Sequence, residues 1–217
     1  MEKEYINVNR KAYDKFAKQH IERHNNLSKY DLTDGDWKKL LTDKLLTPNK
    51  KNIVLEIGPG TGRLLKIFEE LSCETTAVEL SEEMLKYAKL KSPNTHFINN
   101  NVLDVKFPNN TYDAIFMGAL IHNFPKEDAK TLLSLVHDWI KPKGKILIYT
   151  TIHAMSEEGY YEKQDYSGNI IRFRKKYTEE ELREMIEAAN FKIVYKMYTS
   201  EPDRNKKWLT FIIEKRS

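Results

Sequence analysis

Val54-Leu55-Glu56-Ile57-Gly58-Pro59-Gly60-Thr61-Gly62-Arg63-Leu64-Leu65 is the stretch whose reading decides the fold. An apolar run holding one carboxylate leads into three glycines at alternate positions. Beyond them Leu64, Leu65, Ile67, Phe68 and Leu71 recur at helical spacing. This is a strand, a turn and a helix. Glycine at such a turn admits positive φ and lets a ligand approach where a Cβ would stand, while the helix start offers unpaired N–H groups. Gly58, Gly60 and Gly62 therefore form a ligand cradle. A dinucleotide loop would be spaced G-x-G-x-x-G; Arg63 occupies the place of its last glycine, which weakens that reading.

Outward from this stretch, short β-like runs at 53–57, 75–79, 96–99, 114–117, 145–151, 192–198 and 209–214 alternate with helical patterns. Alternation of this kind predicts a parallel sheet wrapped by helices. Ser81 and Thr178 are placed to cap helices, Thr178 in a capping-box pattern with Glu181. Lys141-Pro142-Lys143-Gly144 reads as a turn before the fifth strand. The last two runs are separated only by Ser200-Glu201-Pro202-Asp203-Arg204-Asn205, which predicts an antiparallel hairpin. Residues 1–47 read as helices, around 13–20 and 37–46, free to form a lid over the core of 48–217.

A chain of 217 residues suits one α/β domain. With 40% apolar and 31% charged residues it is neither disordered nor rich enough in apolar runs for a membrane span. The N-terminus lacks the apolar segment of a secretory signal, and the lone Cys73, read as a small buried residue, excludes an internal disulfide or a cysteine cluster for zinc. A cytoplasmic location is expected. The net charge of +4 comes from scattered lysines, so solvated surface explains it better than an anionic macromolecular partner.

Glu79 ends the second strand, where a carboxylate can accept hydrogen bonds from a ribose diol. A nucleoside-type ligand follows. With the glycine loop, Glu79-Leu80-Ser81-Glu82-Glu83-Met84-Leu85, the stretch NNVLDVKFPNNTYDAIF, GALIHNF, KPKGKILIYT and YTEEELREMIEAANFKIV, the chain resembles the class I S-adenosylmethionine-dependent methyltransferases over most of its length. The resemblance implies a Rossmann-like three-layer α/β sandwich: a seven-stranded, mostly parallel sheet with an antiparallel last strand and N-terminal lid helices. It implies S-adenosyl-L-methionine as donor and S-adenosyl-L-homocysteine as product. Matched by position, Glu56 would orient the loop, Gly58 would face the donor's methionine part, Glu79 would bind the ribose and Leu80 would lie against the adenine. Met117 and Gly118 would pass near its amino acid end. The family's adenine-binding aspartate falls at Asn101, a departure; Asn101 with the Val102 backbone, or alternatively Asp104, would meet the adenine edge.

The implied chemistry needs an acceptor atom held in line with the donor methyl and sheltered from water, with a base only if the acceptor keeps its proton. His122, after the fourth strand, is the first candidate base and His153, after the fifth, the second. Each has a plain alternative, as a packing residue and an exposed loop residue. Tyr13, His20 and Trp37 are candidate lid contacts, with helix packing as the alternative. The segment 152–174, holding Tyr160, Tyr161, Tyr166, Arg172 and Phe173, is long for a connection and is expected to shape the acceptor pocket, or else to cover a sheet edge. No acidic cluster suggests a metal site.

The expected activity is methyl transfer to O or N of a small molecule by a monomer or homodimer. Methylation of a modified tRNA uridine is the near alternative; nucleic acid is disfavoured by the lack of a basic stripe with interleaved aromatics but stays open. From other classes, an NAD(P)-linked oxidoreductase and a non-catalytic donor-binding partner remain. Tyr87-Ala88-Lys89-Leu90-Lys91 has the Y-x-x-x-K spacing of the former, on the wrong helix.

Overall fold

Strands β1 (Ile53–Ile57), β2 (Glu74–Glu79), β3 (His96–Asn99), β4 (Tyr112–Gly118) and β5 (Ile140–Ile152) pair in parallel in the order β3-β2-β1-β4-β5. The computed structural model describes residues 2–24, 32–163, 166–201 and 206–216. Two more strands, β8 (Phe191–Ser200) and β9 (Lys207–Lys215), complete a seven-stranded sheet, with β9 antiparallel to both β5 and β8. The expected Rossmann-like sheet with its antiparallel last strand is present. Pro202 to Asn205, the expected turn between β8 and β9, lie outside the described residues.

Helices cover both faces, which is why β1 and β4 read as near-continuous apolar runs, interrupted only by Glu56 and Asp113, rather than alternating ones. On one face α5 (Lys126–Trp139) and α6 (Glu179–Ala188) bury Leu132, Leu133, Val136, Leu182 and Ile186. On the other, α2 (Asp34–Leu40) and α3 (Arg63–Glu70) bury Trp37, Leu40, Leu64, Ile67 and Phe68 against Phe116, Leu147 and Ile212. Thr33 caps α2 in a reciprocal capping box with Asp36, and the helix continues as a π-helical turn over Leu41–Leu45. Helix α4 (Glu82–Lys91) follows β2, with Ser81 accepting from the Met84 N–H as its N-cap. Thr178 does the same for α6 through the Glu181 N–H.

Five features depart from the sequence reading. Helix α5 was not foreseen: Pro125 stands at its N-cap without a side-chain hydrogen bond, so no cap marks its start. Helix α1 (Glu4–His24) is far longer than 13–20, and it covers the cavity described below while α2 belongs to the core layer; its Trp37 packs edge-on against Phe116 and Tyr149 and also lines the cavity. The expected loop 152–174 contains an antiparallel pair, β6 (Glu157–Glu162) and β7 (Ile171–Lys176). Its glutamates, lysines and arginines hide any apolar alternation, and cross-strand pairing supplies what the local pattern lacks. Cys73 is partly rather than fully buried, and burial pushes its thiol up to about 11, away from reactivity. The turn at Lys141 to Gly144 is an excursion inside β5: Ile140 pairs with Tyr112 and Lys145 with Ala114, with Lys143 at φ 65°.

Among the described residues no helix is long and apolar enough to cross a membrane. The strand order reverses between β1 and β4, and open α/β sheets bind ligands at the carboxyl ends of their strands beside such a reversal.

Candidate active site

The glycine loop leaves β1 at that reversal. Gly60 sits at φ 56°, and its N–H donates to Glu79 Oε2 at 2.9 Å. The Ser81 N–H donates to Glu79 Oε1 at the same distance, so one carboxylate ties the first loop to the second. Gly62 serves packing instead: at φ 78°, a Cβ there would lie 2.9 Å from Ala88 Cα, where α3 meets α4. Gly58, Gly60, Glu56 and Glu79 line a cavity of about 270 Å³, and Gly62 does not.

Glu56 and Glu79 are both buried, and burial raises both carboxyls. Glu56, facing Glu79 as well, is pushed up to about 8. Glu56 Oε2 has no hydrogen-bond partner among the described residues. An orphaned buried acceptor beside a second carboxylate is costly unless a cation or a donor group completes it.

Leu80, Asn101 and Val102 form the wall beside Glu79. Asn101 is buried; its Oδ1 accepts from the Leu103 N–H at 3.3 Å and its Nδ2 donates to Asp104 Oδ2 at 3.0 Å. Asp104 is exposed and stands outside the cavity lining, holding Asn101 in place. Asn100 lines the cavity too and was not foreseen.

At the exit of β4, Gly118 lines the cavity, whereas Met117 is fully buried in the core and does not. Ala119 takes φ 53° and its N–H donates to Tyr149 O at 2.7 Å, turning the chain over the sheet end. His122 follows, buried, with Nδ1 at 2.8 Å from Thr150 Oγ1. Burial first, then Arg174, Arg172 and Lys163, push its imidazole well below the ordinary histidine value, so it is neutral. His153 lies outside the cavity lining, with Nε2 3.2 Å from Thr151 Oγ1.

The roof is helix α1. Asn9, Tyr13, Phe16, His20 and Arg23 recur at alternating steps of four and three and face the cavity as one stripe. Asp14 Oδ1 accepts from Ser81 Oγ at 2.6 Å, Tyr5 OH donates to Asp128 Oδ2 at 2.6 Å, and Asn9 Oδ1 accepts from the Phe173 N–H at 2.8 Å. These ties fasten α1 to α4, α5 and β7. Phe16 stacks on Tyr166 with centroids 4.8 Å apart. From the segment 152–174, Lys163, Tyr166, Arg172 and Arg174 reach the cavity; Tyr160, Tyr161 and Phe173 do not. Arg174 was missed, although its spacing of two from Arg172 on a strand would have paired them.

Residues 54–144 match the family model described as a methyltransferase domain. An uncharacterized methyltransferase of Alkaliphilus oremlandii is 29% identical over 50% of this chain and 50% of its own length. The phosphoethanolamine N-methyltransferase of Plasmodium falciparum is 29% identical over 72% of this chain and 59% of its own. The chain thus spans about half the length of the curated relatives it matches, which include ribosomal RNA as well as small-molecule methyltransferases. In structure, the Burkholderia thailandensis 1,6-didemethyltoxoflavin-N1-methyltransferase, solved with 1,6-didemethyltoxoflavin and S-adenosylhomocysteine, aligns over 99% of this chain and 90% of its own. Its TM-score is 0.77 at 20% identity, a likeness of fold.

Proposed function

We propose, from the premise that this chain belongs to the class I S-adenosylmethionine-dependent methyltransferases, that it moves a methyl group from S-adenosyl-L-methionine to a nitrogen or oxygen of a small-molecule acceptor. The observation that carries the reading is the buried pair Glu56 and Glu79 around the glycine loop. The residues fit this donor. Glu79 spends two acceptor sites on Gly60 and Ser81, and a carboxylate has about four, which leaves room for a ribose diol. The orphaned Glu56 Oε2 suits the ammonium of a cationic ligand and would repel a pyrophosphate. Leu80, Asn101 and Val102 would hold the adenine.

When bound, the donor supplies an electrophilic methyl carbon. The chain's own part is to position the acceptor and exclude water: α1 lies over the β4 exit, and a cavity of about 270 Å³ beneath it has room for a small molecule. His122, held neutral and weakly basic by burial and by its cationic neighbours, orients the β4 exit through Thr150. An acceptor whose lone pair is free at neutral pH, as on a ring nitrogen, needs no base from it. The named relatives that methylate nitrogen support this side of the choice.

A thermal-shift comparison tests the reading. S-adenosyl-L-homocysteine at a hundred times its Kd is expected to stabilise the protein by about 2.7 kcal/mol, with NAD(P) inert. A rise with the nicotinamide cofactor alone overturns it.

A further inference from the structure

Tyr149, near the end of β5, and Trp208, near the start of β9, stack face to face with centroids 4.3 Å apart and planes 7° apart, and both line the cavity. Thr151 is Trp208's partner across the β5–β9 pair, and Tyr149 stands two residues deeper in β5, on the same face of the sheet. Tyr149 therefore covers the inner face of the indole. The outer face looks past the carboxyl end of β5, where Thr151 also lines the cavity. Among the described residues the indole meets no second ring and no cation.

The stack is braced from behind and from the side. Trp37 of α2 packs edge-on against Tyr149 with centroids 5.1 Å apart. Trp208 Nε1 donates to Glu201 Oε1 at 3.0 Å, which fixes the plane of the ring and keeps it from folding onto the core. Trp208 stays only partly buried. A pinned indole with one bare face keeps apolar area in water; a flat ligand removes that area, whereas a puckered one stands off it.

A planar ring also suits the reaction. A nitrogen or oxygen acceptor atom on a conjugated ring carries its reacting lone pair in the ring plane, so it must meet the donor edge-on while a wall holds its face. Glu56 and Glu79 lie at the β1 and β2 ends, and the indole lies beyond β4, at the end of the β5–β9 pair. Because the stack rises along the strands, a ring laid on it turns an edge toward the glycine loop. A cation would also bind a bare indole face, but it would then share the cavity with the donor's sulfonium.

We infer that the acceptor is a planar conjugated ring that stacks on the outer face of Trp208 and extends the Tyr149–Trp208 pair above the end of β5. The inference rests on the methyl-transfer reading above and adds the shape class of the acceptor.

The test uses the whole chain saturated with S-adenosyl-L-homocysteine and titrated calorimetrically with three probes: 2-quinolone, its saturated counterpart octahydroquinolin-2-one, and tetramethylammonium. The first two share ring size, lactam and neutrality and differ in flatness. 2-Quinolone is expected to bind about tenfold more tightly than its counterpart, and Trp208→Leu to lose about tenfold of that affinity, as removal of one stacked face does. Trp208→Phe should restore part of it, and both variants should keep the wild-type affinity for S-adenosyl-L-homocysteine within twofold. In the wild type, independent of any variant's folding, 2-quinolone is expected to shift one tryptophan indole N–H resonance upfield, the one that disappears in Trp208→Phe. Equal affinity for the flat and the saturated probe, no binding of 2-quinolone, or a larger shift at Trp37 or Trp139 overturns the inference. So does tighter binding of tetramethylammonium that Trp208→Leu abolishes, which would make the indole a cation seat. Loss of S-adenosyl-L-homocysteine affinity in a folded Trp208→Leu overturns it too, by giving the indole to the donor. If the wild type fails to bind S-adenosyl-L-homocysteine at all, the methyl-transfer reading falls first.

Discussion

The floor of the cavity and its roof are built on opposite plans. The floor is local: Glu56 to Gly60 and Glu79 to Ser81 are short stretches on neighbouring parallel strands, joined by backbone N–H groups donating to one carboxylate. The roof is remote: Tyr13 of α1 meets Arg172 of β7, and Asn9 meets Phe173, across separations of 159 and 164 residues, by side-chain hydrogen bonds. Backbone geometry leaves few residues free to vary, whereas a wall of side chains can change one contact at a time. A common donor belongs on the first kind of surface and a particular acceptor on the second.

That contrast predicts a graded set of effects. Glu79→Ala removes the tie to Gly60 and Ser81 together with the proposed ribose partner, and is expected to weaken S-adenosyl-L-homocysteine binding by about a hundredfold or more, roughly 3 kcal/mol. Asp104→Ala, acting only through Asn101, should cost much less; the reverse order by calorimetry would move the adenine edge to Asp104.

Next comes the pH dependence of the ligand-free protein. Glu56, raised from 4.5 to about 8, binds a proton more tightly folded than unfolded, so its contribution is complete below 4.5 and lost as pH rises through 8. His122 and His20 are lowered from 6.5, so theirs is complete above 6.5 and lost on acidification. Stability is therefore expected to peak near pH 6.5 and to fall toward 8. Glu56→Gln should shrink that fall to the share Glu79 contributes, gaining on the order of 2 kcal/mol at pH 8 while binding the donor product less tightly. Denaturant melts across pH check this; a profile unchanged by the substitution would show Glu56 ionised in the folded state.

The smallest effect belongs to the roof. Asp14→Ala deletes the hydrogen bonds that α1 accepts from Ser81 Oγ and the Glu83 N–H. It is expected to cost about 1 kcal/mol and to speed amide hydrogen exchange in α1 ahead of the sheet. Uniform acceleration across both would make α1 part of the folding core rather than a fastened cover.

Legibility in the sequence followed the same division. The strands, the glycine loop and Glu79 were readable because each is a local pattern with a local cause: apolar runs for buried parallel strands, glycine where φ is positive, a carboxylate at a strand end. Even there Gly62 was read as ligand-facing, since a glycine required by Ala88 looks the same in sequence as one required by a ligand. Met117 was placed near the donor by its position on β4, and strand alternation turned it into the core.

The sequence alone settled the sheet's run of strands and the cradle at its switch point, because period and turn chemistry act over a few residues. Tertiary structure alone decided the roof. The spacing of Asn9, Tyr13, Phe16 and His20 marks one face of a helix but not what it faces, and β6 and β7 carry too many charges to show alternation. Only packing brings Tyr13 to Arg172, takes Thr151 to Arg174, and leaves His122 neutral beneath them. Such pairings are set by the burial of distant segments against one another, which no local pattern encodes.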